Sequence, residues 1–129
     1  MLKNKNKILW IVVVVIVAII VAVVAMPKQG SGVSEMDKFA QCIKDSGAKF
    51  YGAFWCSHCQ EQKKEFGRSA KYLPYIECST PNGQGQIAEC KDAGVTSYPT
   101  WKFTDGSTEV GKISFEKLTE KTKCPAPSI

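Results

Sequence analysis

The sequence predicts an α/β domain carried behind one N-terminal transmembrane helix, and three observations predict it. Ile8 to Ala25 is an unbroken run of 18 apolar residues, enough to cross or nearly cross a bilayer. Beyond it, segments of helical period alternate with short segments of strand character, the order expected of a sheet covered by helices. Between the first such strand and its following helix stand Cys56-Ser57-His58-Cys59, two thiols on one face of a helical turn.

The N-terminal flank sets the orientation. Lys3, Lys5 and Lys7 precede the apolar run, and Lys28 is the only charge in the nine residues after it. The positive-inside rule then keeps residues 1–7 in the cytoplasm, makes 8–25 a single-pass anchor in the cell membrane with Trp10 near the interface, and turns the rest outward. A cleaved signal peptide is the alternative, with Val23-Val24-Ala25 as a loose cleavage site. The run is longer than the usual apolar region of a signal, about 7–15 residues, which favours a retained anchor. In either case the domain is exported. Residues 26–34, MPKQGSGVS, have the Pro, Gly and Ser content of a flexible tether. Residues 35–125 form one domain and 126–129 a tail.

Charge follows the same division. Of the net +5, Lys3, Lys5, Lys7 and Lys28 supply four, and from Val33 onward 13 basic residues face 12 acidic ones. The domain is nearly neutral and has no basic stripe to neutralise phosphates, which argues against nucleic acid as a partner.

Within the domain, Met36, Phe39, Ala40 and Ile43 mark one face of a helix over Glu35 to Asp45 that Gly47 ends. Lys49 to Phe54 is a buried strand, and Glu61 to Phe66 continue a helix that stops at Gly67. Tyr75 to Cys78 is a short strand, Pro81-Asn82-Gly83 a turn, and Gln86 to Asp92 a helix closed by Gly94. Thr100 to Thr104 and Thr108 to Lys112 flank Asp105-Gly106 as a hairpin, and Ser114 caps a last helix to about Thr122.

Cys56 therefore sits at a helix start, where free backbone N–H groups and the positive end of the dipole favour thiolate over thiol. Cys59 lies within disulfide reach, so one sulfur attacks and the other resolves. Ser57 and His58, between the cysteines, are the nearest tuners. An imidazole beside the first sulfur stabilises a thiolate and hence the reduced form, which makes the couple an oxidant. The plain alternative for His58 is an exposed polar residue on a helix turn. A zinc site normally needs a second Cys or His pair at short spacing, and none is present, so no metal is expected.

The order of elements, with Trp55-Cys56-Ser57-His58-Cys59 after the first strand and Ser97-Tyr98-Pro99-Thr100 entering the hairpin, resembles the thioredoxin-like fold, a central four-stranded mixed sheet flanked by helices. The resemblance spans most of Glu35 to Cys124. It implies a cis peptide before Pro99, lying against the Cys pair, with the backbone of Tyr98 free to bond an incoming polypeptide. His at the position of His58 is a feature of disulfide-forming oxidases and isomerases of this superfamily, where thioredoxins carry Pro. The stretches FYGAFWCSHCQEQKKEFG (50–67), YIECSTPNGQGQ (75–86) and VTSYPTWKF (95–103) are similar to the thioredoxin-like domain fused to vitamin K epoxide reductase homologues. That likeness implies a redox-active disulfide as the only cofactor, thiol-containing exported proteins as substrates, and re-oxidation either by a separate vitamin K epoxide reductase-like membrane partner that reduces a quinone or by another oxidant. One departure stands out. The acid that thioredoxins bury on the strand before the Cys pair falls near Phe50, so proton shuttling by that group is not expected.

Four cysteines remain, Cys42, Cys78, Cys90 and Cys124, and an even count in an exported domain argues for disulfides. With Cys56 and Cys59 paired, three pairings are left. In the fold that the resemblance implies, Cys78 and Cys90 are a short loop apart, and Cys42 with Cys124 ties the ends of the domain. Chain entropy gives about 3 kcal/mol for the shorter loop and about 4.5 kcal/mol for the longer. The functional alternative is that Cys78 and Cys90 form a second, electron-relaying pair. Phe50, Phe54, Trp101 and Phe103 are expected in the core, Trp55 and Tyr98 on the substrate surface, and Lys63 and Lys64 on a solvated face.

These readings converge on a membrane-anchored thiol–disulfide oxidoreductase working in the oxidising direction. Its rivals are a reductase or isomerase, and a non-catalytic binding module whose Cys pair is only structural. For the anchor, the chain is expected to stay in the membrane fraction with residues 1–25 attached. Mass spectrometry of the mature N-terminus checks this, and a protein beginning at or after Met26 overturns it.

Overall fold

The computed structural model of the chain describes residues 2–25 and 33–128, which fall into two units. The tether expected at 26–34 lies outside the described residues except for Val33 and Ser34, as does the last residue of the tail. In the first unit, α1 (Leu2–Ala25) is one helix. Its stretch Asn4–Ala25 is long and apolar enough to cross a membrane, and none of it is buried by protein.

In the second unit, Ser34 starts α2 (Glu35–Asp45) through a capping box with Asp37, pairing helix-end donors that would otherwise lack partners. Asp37 also accepts a hydrogen bond from Ser69 Oγ at 2.6 Å, and that bond holds its carboxyl below the ordinary range. Strand β1 (Lys49–Gly52) leads to α3 (Ser57–Glu65), a 3-10 helix (Gly67–Tyr72), β2 (Tyr75–Glu77), α4 (Ala88–Asp92), the hairpin β3 (Thr100–Lys102) and β4 (Thr108–Val110), and α5 (Phe115–Thr122). The sheet order is β2-β1-β3-β4. β1 pairs parallel with β2 and antiparallel with β3, and β3 pairs antiparallel with β4. This is a four-stranded mixed sheet in a thioredoxin-like arrangement.

Alternation along β1 sends successive side chains to opposite faces. Phe50 packs with Phe39 and Ile43 of α2, Phe66, Leu118 of α5 and Trp101 in the larger core, while Tyr51 joins Cys78, Cys90 and Val95 on the other face. Phe50 and Trp101 are register partners and stack with centroids 4.4 Å apart.

Three expectations are corrected. β1 ends at Gly52 rather than Phe54, so its alternation stops early and Phe54 is 49% exposed instead of core. Gln86 stands outside α4, bridging to Ser79 instead. Lys63 is half-buried rather than solvated. The short 3-10 helix had no periodic signal to announce it.

One buried polar side chain fixes α3 to the segment after β4. Gln62 is fully buried. It donates to the Ile113 carbonyl at 3.1 Å and accepts from the Ile113 N–H at 2.9 Å. Gln62→Leu leaves that backbone donor and acceptor unpaired in the core and is expected to cost about 2–4 kcal/mol. Urea unfolding of the full chain in detergent, disulfides intact, measures it.

Candidate active site

A change of backbone direction places Cys56. After Gly52 the chain turns through Ala53, Phe54 and Trp55, and Cys56 is the extended N-cap residue of α3. Its sulfur accepts a hydrogen bond from the Cys59 N–H at 3.2 Å, the role a Ser or Asp oxygen has at other helix starts. A thiolate at this point meets an otherwise unpaired N–H and the positive end of the helix dipole, both of which favour charge. Cys59 is disulfide-bonded to Cys56, with Cα atoms 5.3 Å apart. Cys56 is 7% exposed and Cys59 1%, so an incoming sulfur reaches Cys56 first.

Ser57 and His58 are exposed on the first turn of α3. The partner of the imidazole is Glu61, with Nδ1 3.2 Å from Oε2, not Cys56. Any influence of His58 on the thiolate acts through space, and the Glu61 carboxylate opposes it.

Trp55 and Tyr98 come together edge to face, centroids 5.8 Å apart, and Trp55 Nε1 donates to Ser79 Oγ at 3.0 Å. The Tyr98–Pro99 peptide is cis. Beside these rings opens a cleft of about 420 Å³ that Gly83, Gln86 and Val95 also line. Phe54 and Trp55, each about half exposed, give this side of the domain an apolar rim of the kind that marks a surface for partners.

Two further residues that sequence reasoning missed are Tyr75 and Glu77 of β2. Glu77 Oε1 accepts the N–H groups of Phe54 at 3.1 Å and Ser79 at 2.9 Å, and Oε2 accepts the Tyr75 hydroxyl at 2.8 Å. One carboxylate thus holds the loop that ends in Cys56. Lys63 Nζ lies 3.1 Å from the centroid of the Tyr75 ring, and burial lowers its pKa against the opposing charge of Glu77. Burial, together with the bond to Glu77, pushes the Tyr75 phenol well above its ordinary range. The available signal was an acid inside the apolar strand YIEC. Recognising its role requires the register that sets Gly52 beside Glu77.

The remaining cysteines are bonded as Cys42–Cys124, Cα atoms 5.8 Å apart, and Cys78–Cys90, 5.6 Å apart. Cys78, Cys90 and Cys124 are fully buried. Among the described residues, no group of three or more His, Cys, Asp or Glu side chains is placed to hold a metal.

No family model matches the chain. Over 88 residues, 64% of its length, it is 44% identical to thiol-disulfide oxidoreductase LTO1 of Arabidopsis thaliana. The chain spans about a quarter of that relative, 23% of its length.

The helix start separates the three disulfides, since Cys42 is itself partly exposed. Mild reduction is expected to open Cys56–Cys59 alone, because only that pair has a sulfur at a helix N-terminus, where the thiolate of the reduced form is stabilised. Alkylation of the freed thiols followed by peptide mapping checks this. Joint opening of Cys78–Cys90 would favour the relay role for that pair.

Proposed function

We propose that the chain is a membrane-anchored thiol–disulfide oxidoreductase acting on exported proteins in the oxidising direction, with Cys56 and Cys59 as its catalytic pair. The observation that carries this reading is Cys56 as the N-cap of α3, its sulfur bonded to a helix-start N–H beside an exposed apolar rim. The likeness to a thiol-disulfide oxidoreductase supports the same reaction class.

A substrate thiolate attacks Cys56 Sγ, and the Cys56–Cys59 bond breaks with Cys59 leaving as the thiolate. A second substrate thiolate then attacks the mixed disulfide, forming the substrate disulfide and releasing Cys56. Two electrons pass to the Cys56/Cys59 pair. Trp55 and Tyr98 would line the substrate surface, with the Tyr98 backbone bonding the incoming strand, whereas Pro99, expected there, is fully buried and would not line it. Cys42–Cys124 and Cys78–Cys90 serve as structural staples. Helix α1 would anchor the chain with Lys3, Lys5 and Lys7 in the cytoplasm and the domain outside. A separate membrane quinone reductase, similar to vitamin K epoxide reductase, would re-oxidise the pair.

The pairing of His58 with Glu61 favours a second reading, a reductase or isomerase, because it weakens the tuning that makes the couple oxidising. The reduction potential separates the two. A glutathione titration is expected to place the couple above the thioredoxin value of about −270 mV, with His58→Pro lower than wild type. A wild-type potential near −270 mV favours the reductase. A pair that resists mild reductant and shows no turnover leaves a binding module.

A further inference from the structure

Cys59 presents a problem that the catalytic pair cannot solve alone. It is 1% exposed, yet it must gain a proton when it leaves Cys56 and lose one when it attacks. A bare thiolate in an apolar pocket is disfavoured. His58 and Glu61 point to the exposed side of α3, and β1 contributes only Phe50 and Gly52 to this face, neither of them titratable, since Tyr51 packs on the opposite face of the sheet.

The space at Gly52 shows what adjoins the sulfur. A Cβ at Gly52 would lie 3.0 Å from Cys59 Sγ, 2.7 Å from Tyr75 Cε2 and 3.2 Å from Tyr75 Oη. Sulfur and phenol therefore converge on the same spot, near enough for direct contact after a small shift or for one bridging water. The hydroxyl already donates to Glu77 Oε2 at 2.8 Å. On its outer side the Tyr75 ring borders a cleft of about 400 Å³ lined by Lys63, Ala70, Lys71 and Leu73, which opens the cluster to solvent.

We infer that Tyr75, backed by Glu77, exchanges the proton of Cys59 during thiol–disulfide exchange, a role that rests on the redox reading of the Cys pair. In the reducing direction, the Cys59 S–H proton moves to Tyr75 Oη as the tyrosine proton moves to Glu77 Oε2. The Cys59 thiolate attacks Cys56 Sγ of the mixed disulfide. The Cys56–Cys59 bond forms, the substrate sulfur leaves as the thiolate, and Glu77 releases its proton to water. The oxidising direction is the reverse. Burial of the phenol fits this part, since a tyrosine reluctant to ionise passes a proton on rather than holding a charge. Lys63, stacked on the ring, stabilises negative charge at the relay. The titratable and charged groups around the pocket are Lys63 of α3, Lys71 of the 3-10 helix, Tyr75 and Glu77 of β2, and Tyr98 before β3.

The test uses the full chain in detergent, reduced at Cys56–Cys59 alone, mixed with 5,5′-dithiobis(2-nitrobenzoate) in a stopped-flow instrument. Attack by Cys56 releases the first thionitrobenzoate, and resolution by Cys59 releases the second. Tyr75→Phe keeps the ring under Lys63, and Glu77→Gln keeps an acceptor for the Phe54 N–H. Tyr75→Phe is expected to leave the first phase within about twofold of wild type, and Glu77→Gln, which also alters the hold on the Cys56 loop, is read from its second phase relative to its own first. The second phase should slow by roughly tenfold to a hundredfold at pH 7, the scale of one general acid–base contribution, and recover at alkaline pH. A second phase unchanged in rate and pH profile in Tyr75→Phe overturns the inference. Loss of the first phase in wild type would sink the redox reading itself, and this proposal with it. Far-UV circular dichroism and intact Cys42–Cys124 and Cys78–Cys90 in each variant exclude misfolding as the cause.

Discussion

The candidate site depends on the hold that the Glu77 carboxylate has on the loop after β1. That loop leaves the sheet at Gly52, so the Phe54 N–H has no strand partner, and Glu77 supplies one at 3.1 Å. Without it that exposed N–H would turn to water, and Cys56 would lose its fixed relation to β2. The same carboxylate binds Ser79 N–H and Tyr75, and Ser79 Oγ holds the Trp55 indole. The residues around the sulfurs are thus tied to one strand end. Next along that strand end, Cys78 donates its N–H to the Gly52 carbonyl at 2.8 Å and is bonded to Cys90. The Cys78–Cys90 staple consequently fixes the base on which the loop leading to Cys56 is built.

The staples also answer to size. The second unit has one larger core, organised by Phe50 stacked on Trp101 and by Phe39, Phe66 and Phe115 in mutual contact. The opposite face has only a small buried cluster around Tyr51, in which the Cys78–Cys90 pair takes part. Domains of this length have net stabilities of about 5–15 kcal/mol, so two cross-links worth about 3 and 4.5 kcal/mol in chain entropy are a large share. Cys42–Cys124 closes the longer loop by tying α2 to the residue past the C-cap of α5, where Lys123 adopts a left-handed turn.

Much of this was legible in the chain. Helices α2 and α5 fall where Gly47 and Ser114 punctuate apolar faces, because caps and period are local signals. The Cys pair and its helix start were equally local. The cis peptide before Pro99 and the cysteine pairing followed from a resemblance in element order rather than from spacing. What stayed hidden was non-local. Phe54 looked like strand because apolar character does not say where pairing stops. Lys63 looked solvated because its partner Tyr75 is 12 positions away in the chain. Glu77 was passed over because its three bonds exist only after β1 and β2 have paired in register.

The difference between the two sulfurs comes down to a missing side chain. One helical turn places Cys56 at the rim and Cys59 against the sheet, and the sheet position that Cys59 faces is Gly52. Glycine is needed there for room, not for an unusual backbone angle: a single methyl would sit 2.7 Å from the Tyr75 ring, closer than real Cβ contacts come, and a tight 3.0 Å from Cys59 Sγ. Space left empty on β1 is filled from both sides, by a sulfur from α3 and a phenol from β2. Cys59 Sγ is thereby shielded from outside and placed beside a hydroxyl that is itself bonded to a carboxylate. In the proposed reaction, selective attack at Cys56 and proton supply to Cys59 would be two results of the same packing choice.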